Sequence, residues 1–284
     1  MQHHRSHAAD TADIYPVDIY PAAIALARQA GAAILDIYRQ PSVAVQYKAD
    51  DSPVTQADLA AHRLIVAGLA AITPQIPVVS EEDSASHGVR LGGGLYWLID
   101  PLDGTKEFVA RRDEFTVNIA LMADGFPRWG VVHAPALNQT FWGGANDGAW
   151  QDVNAQVEGL STSRGLDGAE QTLCWRVVAS KSHMNADTLA FIEHLGSCVL
   201  VQAGSSLKFC RIAQGQADIY PRLSPTCEWD TAAAQAVVEG AGGQVLDLDG
   251  QRLRYGKPEV LNPSFVAFAP PAKTRVCTML RPSA

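Results

Sequence analysis

A single strand end limits what this chain can fold into. Residues 97–108 read Trp-Leu-Ile-Asp-Pro-Leu-Asp-Gly-Thr-Lys-Glu-Phe, and the apolar run stops abruptly at Asp100. Pro101 has no backbone donor and a fixed φ, so the strand is not expected to continue simply through it. A second carboxylate, Asp103, follows three positions later, with Gly104 and the hydroxyl of Thr105 directly behind it. Two acids and a hydroxyl thus leave one tight turn at the end of a buried strand. Hard divalent cations such as Mg²⁺ take oxygen ligands of this type, and a rigid strand end that presents them suits phosphate chemistry.

The bulk properties narrow the setting. The chain has 284 residues, 47% of them hydrophobic, enough for one large domain or two subdomains. Its net charge of −8 excludes a basic nucleic-acid-binding face. An acidic protein still binds a phosphorylated metabolite if metal ions supply positive charge. The five cysteines, Cys174, Cys198, Cys210, Cys227 and Cys277, are widely spaced with no CxxC, which argues against a disulfide framework and for a reducing cytoplasm. Residues 1–16 read as a disordered polar extension; its first ten, MQHHRSHAAD, lack the apolar region of a secretory signal. No run of about 18 or more apolar residues is present to span a bilayer.

Apolar residues at Ile24, Ala27, Gly31, Ile34 and Tyr38 predict a helix over 21–39, and 43–48 alternate like a strand. Thr55 opens a second helix, with Asp58 placed as in a capping box. Strand signals follow at 77–81, 95–100, 115–122, 128–133, 139–142 and 148–151, which reads as a mostly antiparallel sheet carrying the first two helices. After about residue 155 the rhythm changes. Strands at 173–179, 198–203 and 217–220 alternate with helices at 185–195, 206–214 and 230–241, the last ended by Gly242 and Gly243. The expected organisation is an α+β subdomain over 17–154, an α/β subdomain over 155–269, and an unassigned tail over 270–284, with the active site between the two halves.

Five acids stand out besides Asp103. Glu81 and Glu82 end one strand-like run, Asp100 ends another, Asp58 lies in a first helical turn, and Asp230 begins the run Thr-Ala-Ala-Ala. Glu81, Glu82 and Asp58 each alone also read as a surface acid or helix cap and Asp230 as an N-cap, whereas a hairpin at Asp103-Gly104 does not explain Asp100 at the end of a buried run. Gathered together they repel one another unless cations neutralise them. The spacing of Asp100 and Asp103 is not that of the D-x-D-G-T phosphoryl-aspartate phosphatases. No P-loop occurs, and Gly240-Ala-Gly-Gly follows a helix instead of opening one, so it is no dinucleotide cradle.

Asp100-Pro-Leu-Asp-Gly-Thr together with Trp229-Asp-Thr-Ala-Ala resembles the inositol monophosphatase-like, Mg²⁺-dependent, lithium-sensitive phosphatases. Lys48-Ala-Asp-Asp-Ser-Pro-Val-Thr, Val79-Ser-Glu-Glu-Asp, Asp113-Glu-Phe-Thr-Val-Asn-Ile-Ala-Leu, Gly204-Ser-Ser-Leu-Lys-Phe-Cys and Tyr220-Pro-Arg narrow the resemblance to the bacterial 3'(2'),5'-bisphosphate nucleotidases of that family, over residues 17 to 269. The resemblance implies a layered αβαβα sandwich of α+β and α/β parts. It implies two or three Mg²⁺ ions per site, held by Glu81, Asp100, Asp103, Asp230 and the carbonyl of Leu102. It makes Asp58 and Thr105 the pair that positions and deprotonates the attacking water, with Gly104 and Thr105 under the phosphate. In the nucleotidase branch His183, Ser205, Lys208 and Arg222 would hold the nucleotide, Lys208 and Arg222 facing its second phosphate. His133 stands where relatives often carry Tyr and receives no role. The resemblance further implies a phosphorylated nucleotide as substrate, a possible homodimer, a role in sulfur metabolism, and a cytoplasmic location with possible peripheral association with the inner membrane.

Two alternatives stay open at this level. One is an inositol monophosphatase or broad sugar-phosphate phosphatase on the same scaffold. The other is a non-catalytic nucleotide- or metal-binding protein. Lys208 also reads as a solvated helix-face lysine, His183 as a helix cap, and Arg222 as the partner of a structural acid.

Overall fold

A computed structural model describes residues 19–41, 45–47, 53–162, 174–179 and 184–280. Helices α1 (Ile19–Tyr38) and α2 (Gln56–Ile72) flank a short antiparallel pair, β1 (Val45–Tyr47) and β2 (Pro53–Thr55). A seven-stranded sheet follows in sequence order: β3 (Val78–Ser80), β4 (Tyr96–Asp103), β5 (Thr116–Ala123), β6 (Phe126–Ala134), β7 (Gln139–Gly144), β8 (Gly148–Val153) and β9 (Gln156–Gly159). Only β3 and β4 run parallel; every later neighbour is antiparallel, as sequential hairpins dictate. The five-residue helix α3 (Thr105–Val109) links β4 to β5.

The second part contains β10 (Trp175–Ala179), α4 (Ala186–Leu195), β11 (Cys198–Gln202), α5 (Leu207–Ala213), β12 (Ile219–Arg222), α6 (Glu228–Gly240), β13 (Gln244–Asp247), β14 (Phe265–Phe268) and α7 (Lys273–Leu280). Its five strands form a mixed sheet in the order β11-β10-β12-β14-β13. Residues 273–280, left unassigned on sequence, are helical, and Val276 and Leu280 bury against this sheet.

The layers stack as α1 and α2, the seven-stranded sheet, α5 and α6, the five-stranded sheet, then α4 and α7. This is the αβαβα sandwich expected. One apolar cluster lies between the sheets and draws on both halves of the chain, from Val79, Leu98 and Phe141 to Leu207, Val237 and Phe265. Helix α6 crosses that layer with ten of its thirteen residues buried, which its run of alanines and valines allows at close packing distance. Gly130 of β6 lets it approach: a Cβ there would stand 2.5 Å from the Ala233 carbonyl oxygen.

Candidate active site

The strand end that opened the sequence reading is a β-bulge. Strand β4 does not stop at Asp100 but runs to Asp103. Asp100 pairs with Asn118 and Asp103 with Thr116, so Pro101 and Leu102 stand against the single residue Val117. A bulge is where a strand tolerates a residue without a donor. The kink re-aims both acids, and the Leu102 amide donates to Asp100 Oδ1 at 3.0 Å. Gly104 then turns left-handed (φ 90°), and a Cβ there would lie 2.1 Å from Ser205 Oγ. Both facts require glycine.

Asp58 enters from α2. Its Oδ2 accepts from the Thr55 amide (2.7 Å) and hydroxyl (2.6 Å), completing the capping box expected on sequence. Its Oδ1 accepts from the hydroxyl of Thr105 at 3.0 Å, a contact across 47 residues. Burial raises the proton affinity of this carboxyl, and the Thr55 hydrogen bonds oppose the rise.

Asp230 is not the N-cap of α6 that its position suggested. The helix starts two residues earlier, Cys227 caps it, and Asp230 at the third helical position accepts from the Cys227 amide at 2.9 Å. That places the carboxylate on the positive end of a thirteen-residue helix. The start of α6 is fixed by a buried ion cluster that sequence reasoning missed. Glu228 accepts from Arg90 (2.8 Å), the Lys257 ammonium (2.6 Å) and the amides of Gly256 (3.1 Å) and Lys257 (3.2 Å).

Asp100 is 1% exposed and Asp230 is half-buried, and each carboxyl is pushed well above the usual carboxylate range. Burial is the largest cause for both; for Asp100 the charges of Glu81, Asp103 and Asp230 follow, and for Asp230 those of Asp103 and Glu81. The four acids named on sequence therefore share one electrostatic environment, drawn from β3's end, the β4 bulge and the start of α6. Among the described residues no three His, Cys, Asp or Glu groups close onto one point as a formed metal cage. What fits a hard cation is the donor set: buried oxygens that destabilise one another until positive charge arrives.

A cleft beside these acids is lined by Asp103, Gly104, Glu107, Lys208, Arg222 and Asp230, with Tyr220, Phe209 and Thr226 among its walls. Lys208 is only 7% exposed, which removes the solvated-lysine alternative; its ammonium lies 5.8 Å from the Tyr220 ring centroid. Burial lowers its proton affinity, and the charge of Asp103 opposes this. Arg222 donates to the Pro225 carbonyl at 2.9 Å, and its buried Nε has no protein partner among the described residues. Ser205 points its hydroxyl at the carbonyls of Asp103 (2.9 Å) and Glu114 (2.8 Å), tying the α5 loop to the β4 turn. His183 lies outside the described residues, as do Lys48 to Ser52 of the first quoted motif.

Residues 16–281 match the model of the inositol monophosphatase family. The chain is 47% identical over 246 residues to the 3'(2'),5'-bisphosphate nucleotidase CysQ of Escherichia coli O6:H1, covering 84% of this chain and 95% of that protein. It is 35% identical to the CysQ nucleotidase of Haemophilus influenzae, covering 85% and 89%. Among solved structures, it is similar to CysQ from Bacteroides thetaiotaomicron, described as a bacterial member of the inositol monophosphatase family, with a TM-score of 0.76, 37% identity, and coverage of 90% and 99%. An IMPase from Thermotoga maritima gives a TM-score of 0.73 at 26% identity, covering 93% and 96%.

Proposed function

The chain belongs to the inositol monophosphatase family, and from that premise we propose that it is a metal-dependent 3'(2'),5'-bisphosphate nucleotidase that converts adenosine 3',5'-bisphosphate to AMP and phosphate. The observation that supports this reading is the mutual charge influence of Glu81, Asp100, Asp103 and Asp230, together with the Asp58–Thr105 hydrogen bond and a cleft lined by Asp103, Asp230 and a buried lysine. Mg²⁺ is the proposed cation, held by Glu81, Asp100, Asp103, Asp230 and the Leu102 carbonyl. When bound, it supplies Lewis acidity that acidifies water and offsets charge on the phosphoryl and leaving oxygens.

The chain's own residues do the rest. Thr105 gives its hydroxyl hydrogen to Asp58, so its lone pairs are free to accept from an attacking water and fix its direction. Asp58, with a raised proton affinity, pulls on that hydroxyl and biases water toward deprotonation. The second oxygen of Asp58 is saturated by Thr55, which keeps the carboxylate from rotating away. Lys208 and Arg222 line the same cleft as Asp103 and Asp230, and their charges would complement a second phosphate that the carboxylates repel. A side-chain nucleophile is not required by this scheme; phosphoryl transfer in line to water needs positioning and electrostatics only.

A phosphate-release assay with Mg²⁺ tests the proposal. Adenosine 3',5'-bisphosphate is expected to turn over with a higher kcat/KM than inositol 1-phosphate, and the reverse order would assign the cleft to inositol phosphates. Inhibition by Li⁺ and a cytoplasmic location belong to the same proposal. Among the described residues no helix is long and apolar enough to cross a membrane.

A further inference from the structure

Ser206 precedes α5 and is 1% exposed, yet its hydroxyl does not cap that helix. It lies 2.9 Å from Asp103 Oδ2 on the β4 bulge, 2.8 Å from the Asp230 carbonyl in the first turn of α6, and 2.8 Å from the Asn118 amide nitrogen on β5. One side chain therefore touches the two elements that carry Asp103 and Asp230, β4 and α6, and the strand β5 paired beside them. Asn118 is itself 1% exposed and sits directly across from Asp100 in the β4–β5 register. Its Nδ2 donates to Ser206, while its Oδ1 is buried without a partner among the described residues.

The hydroxyl has one hydrogen and two candidate acceptors, Asp103 Oδ2 and the Asp230 carbonyl. Asn118 occupies a lone pair of Ser206, so the hydrogen must point toward the acids. An ionised carboxylate is the stronger acceptor of the two. With the hydrogen on Asp103, Oδ2 is engaged by Ser206 and, at 3.4 Å, by the Thr116 hydroxyl. Two donors on one oxygen fix the plane of the carboxylate and direct its other oxygen toward the cleft.

We propose that Ser206, oriented by Asn118, is a positioning residue that sets the Asp103 carboxylate for cation binding. The inference rests on the reading of Asp103 as a cation ligand. Groups that orient metal ligands through hydrogen bonds typically contribute 10–100-fold to metal affinity. The test is Mg²⁺ binding by isothermal titration calorimetry on the full chain, with the half-saturating Mg²⁺ concentration for activity and the melting temperature measured alongside. Ser206→Ala is expected to weaken Mg²⁺ binding about tenfold or more and to move the half-saturating concentration equally. Activity at saturating Mg²⁺ should return to within about threefold of wild type, because the role is orientation and not chemistry. Asn118→Leu removes the donor behind Ser206 and is expected to weaken Mg²⁺ in the same direction, adding little in the Ser206→Ala background. Ser206→Thr keeps the hydroxyl and should restore affinity. A folded Ser206→Ala protein with unchanged Mg²⁺ affinity would overturn the inference; if Ser206→Ala does not fold, unchanged affinity in Asn118→Leu overturns it. Asp103→Asn separates the two levels. If Asp103→Asn also leaves Mg²⁺ affinity intact, the ligand reading itself fails; if it abolishes binding while Ser206→Ala does not, only the positioning role is lost.

Discussion

Glu228→Gln is the most informative perturbation of the scaffold. Glu228 is 0% exposed and its carboxylate takes four donors, two of them charged. Arg90, with a side chain 2% exposed, has no route to solvent, whereas the Lys257 side chain is 29% exposed and reaches water. Glutamine preserves shape and one acceptor oxygen but leaves the guanidinium buried without its counter-charge. Breaking a buried pair by neutralising one partner costs about 3–5 kcal/mol, and the retained acceptor and the solvent-accessible Lys257 place this case near about 3 kcal/mol. For a chain of this size that corresponds to a fall in Tm of about 5 °C. Urea denaturation of wild type, Glu228→Gln, Arg90→Met and the double variant closes a cycle. The double variant should be less destabilised than the sum by about 1–3 kcal/mol, because the second change removes a group already unpaired. The midpoint should move with the urea dependence of the free energy unchanged. A Glu228→Gln protein within about 1 kcal/mol of wild type, or strict additivity in the cycle, would refute the claim that this pair fixes the start of α6.

Three further outcomes are expected. Thr105→Val removes the donor to Asp58 and should lower kcat by about 100-fold or more with KM little changed; a larger effect on KM than on kcat would remove Thr105 from water positioning. Lys208→Met should raise KM for adenosine 3',5'-bisphosphate more than KM for adenosine 3'-monophosphate, which keeps the scissile phosphate and lacks the second one, and equal changes would exclude a second-phosphate role. Burial, with the Arg28 charge as a smaller cause, lowers the His133 pKa from 6.5 to about 4. The unfolded chain therefore binds the proton more readily, so this histidine contributes stability above pH 6.5 that is lost as pH falls toward about 4, at most about 3 kcal/mol. Chemical denaturation of wild type and His133→Gln between those pH values should give a steeper loss for wild type; parallel curves would contradict the assignment.

The local parts of the site were legible in the sequence, and the parts made by distant contacts were not. Asp58 and Thr55 lie three residues apart, so their reciprocal hydrogen bonds follow from spacing alone. The bulge that carries β4 past Pro101 depends on β5 supplying one residue against two, which no reading of 97–108 contains. Helix α6 starts two residues before the predicted 230, where Glu228 pairs with Arg90, 138 residues away, a contact that no local spacing reveals. Lys208 was ambiguous for the same reason, since only the packing of α5 beneath Tyr220 hides it. Ser206 and Asn118 lay inside stretches already singled out, yet neutral side chains carry no signal until their partners are placed. Strands β13 and β14 are four residues each, too short for a period to emerge.

Helix α6 has one more implication. Its flanks cover the sheet built by the first half of the chain, while its tip delivers Asp230 to acids that ride on that sheet. A truncation ending near residue 154 would keep Asp58, Glu81, Asp100 and Asp103 but strip the apolar roof from above them. Such a piece would be both catalytically incomplete and sticky. The face of the sheet beneath α6 and the full set of four acids are thus completed together, although the face beneath α1 and α2 has its own core from residues 19–131.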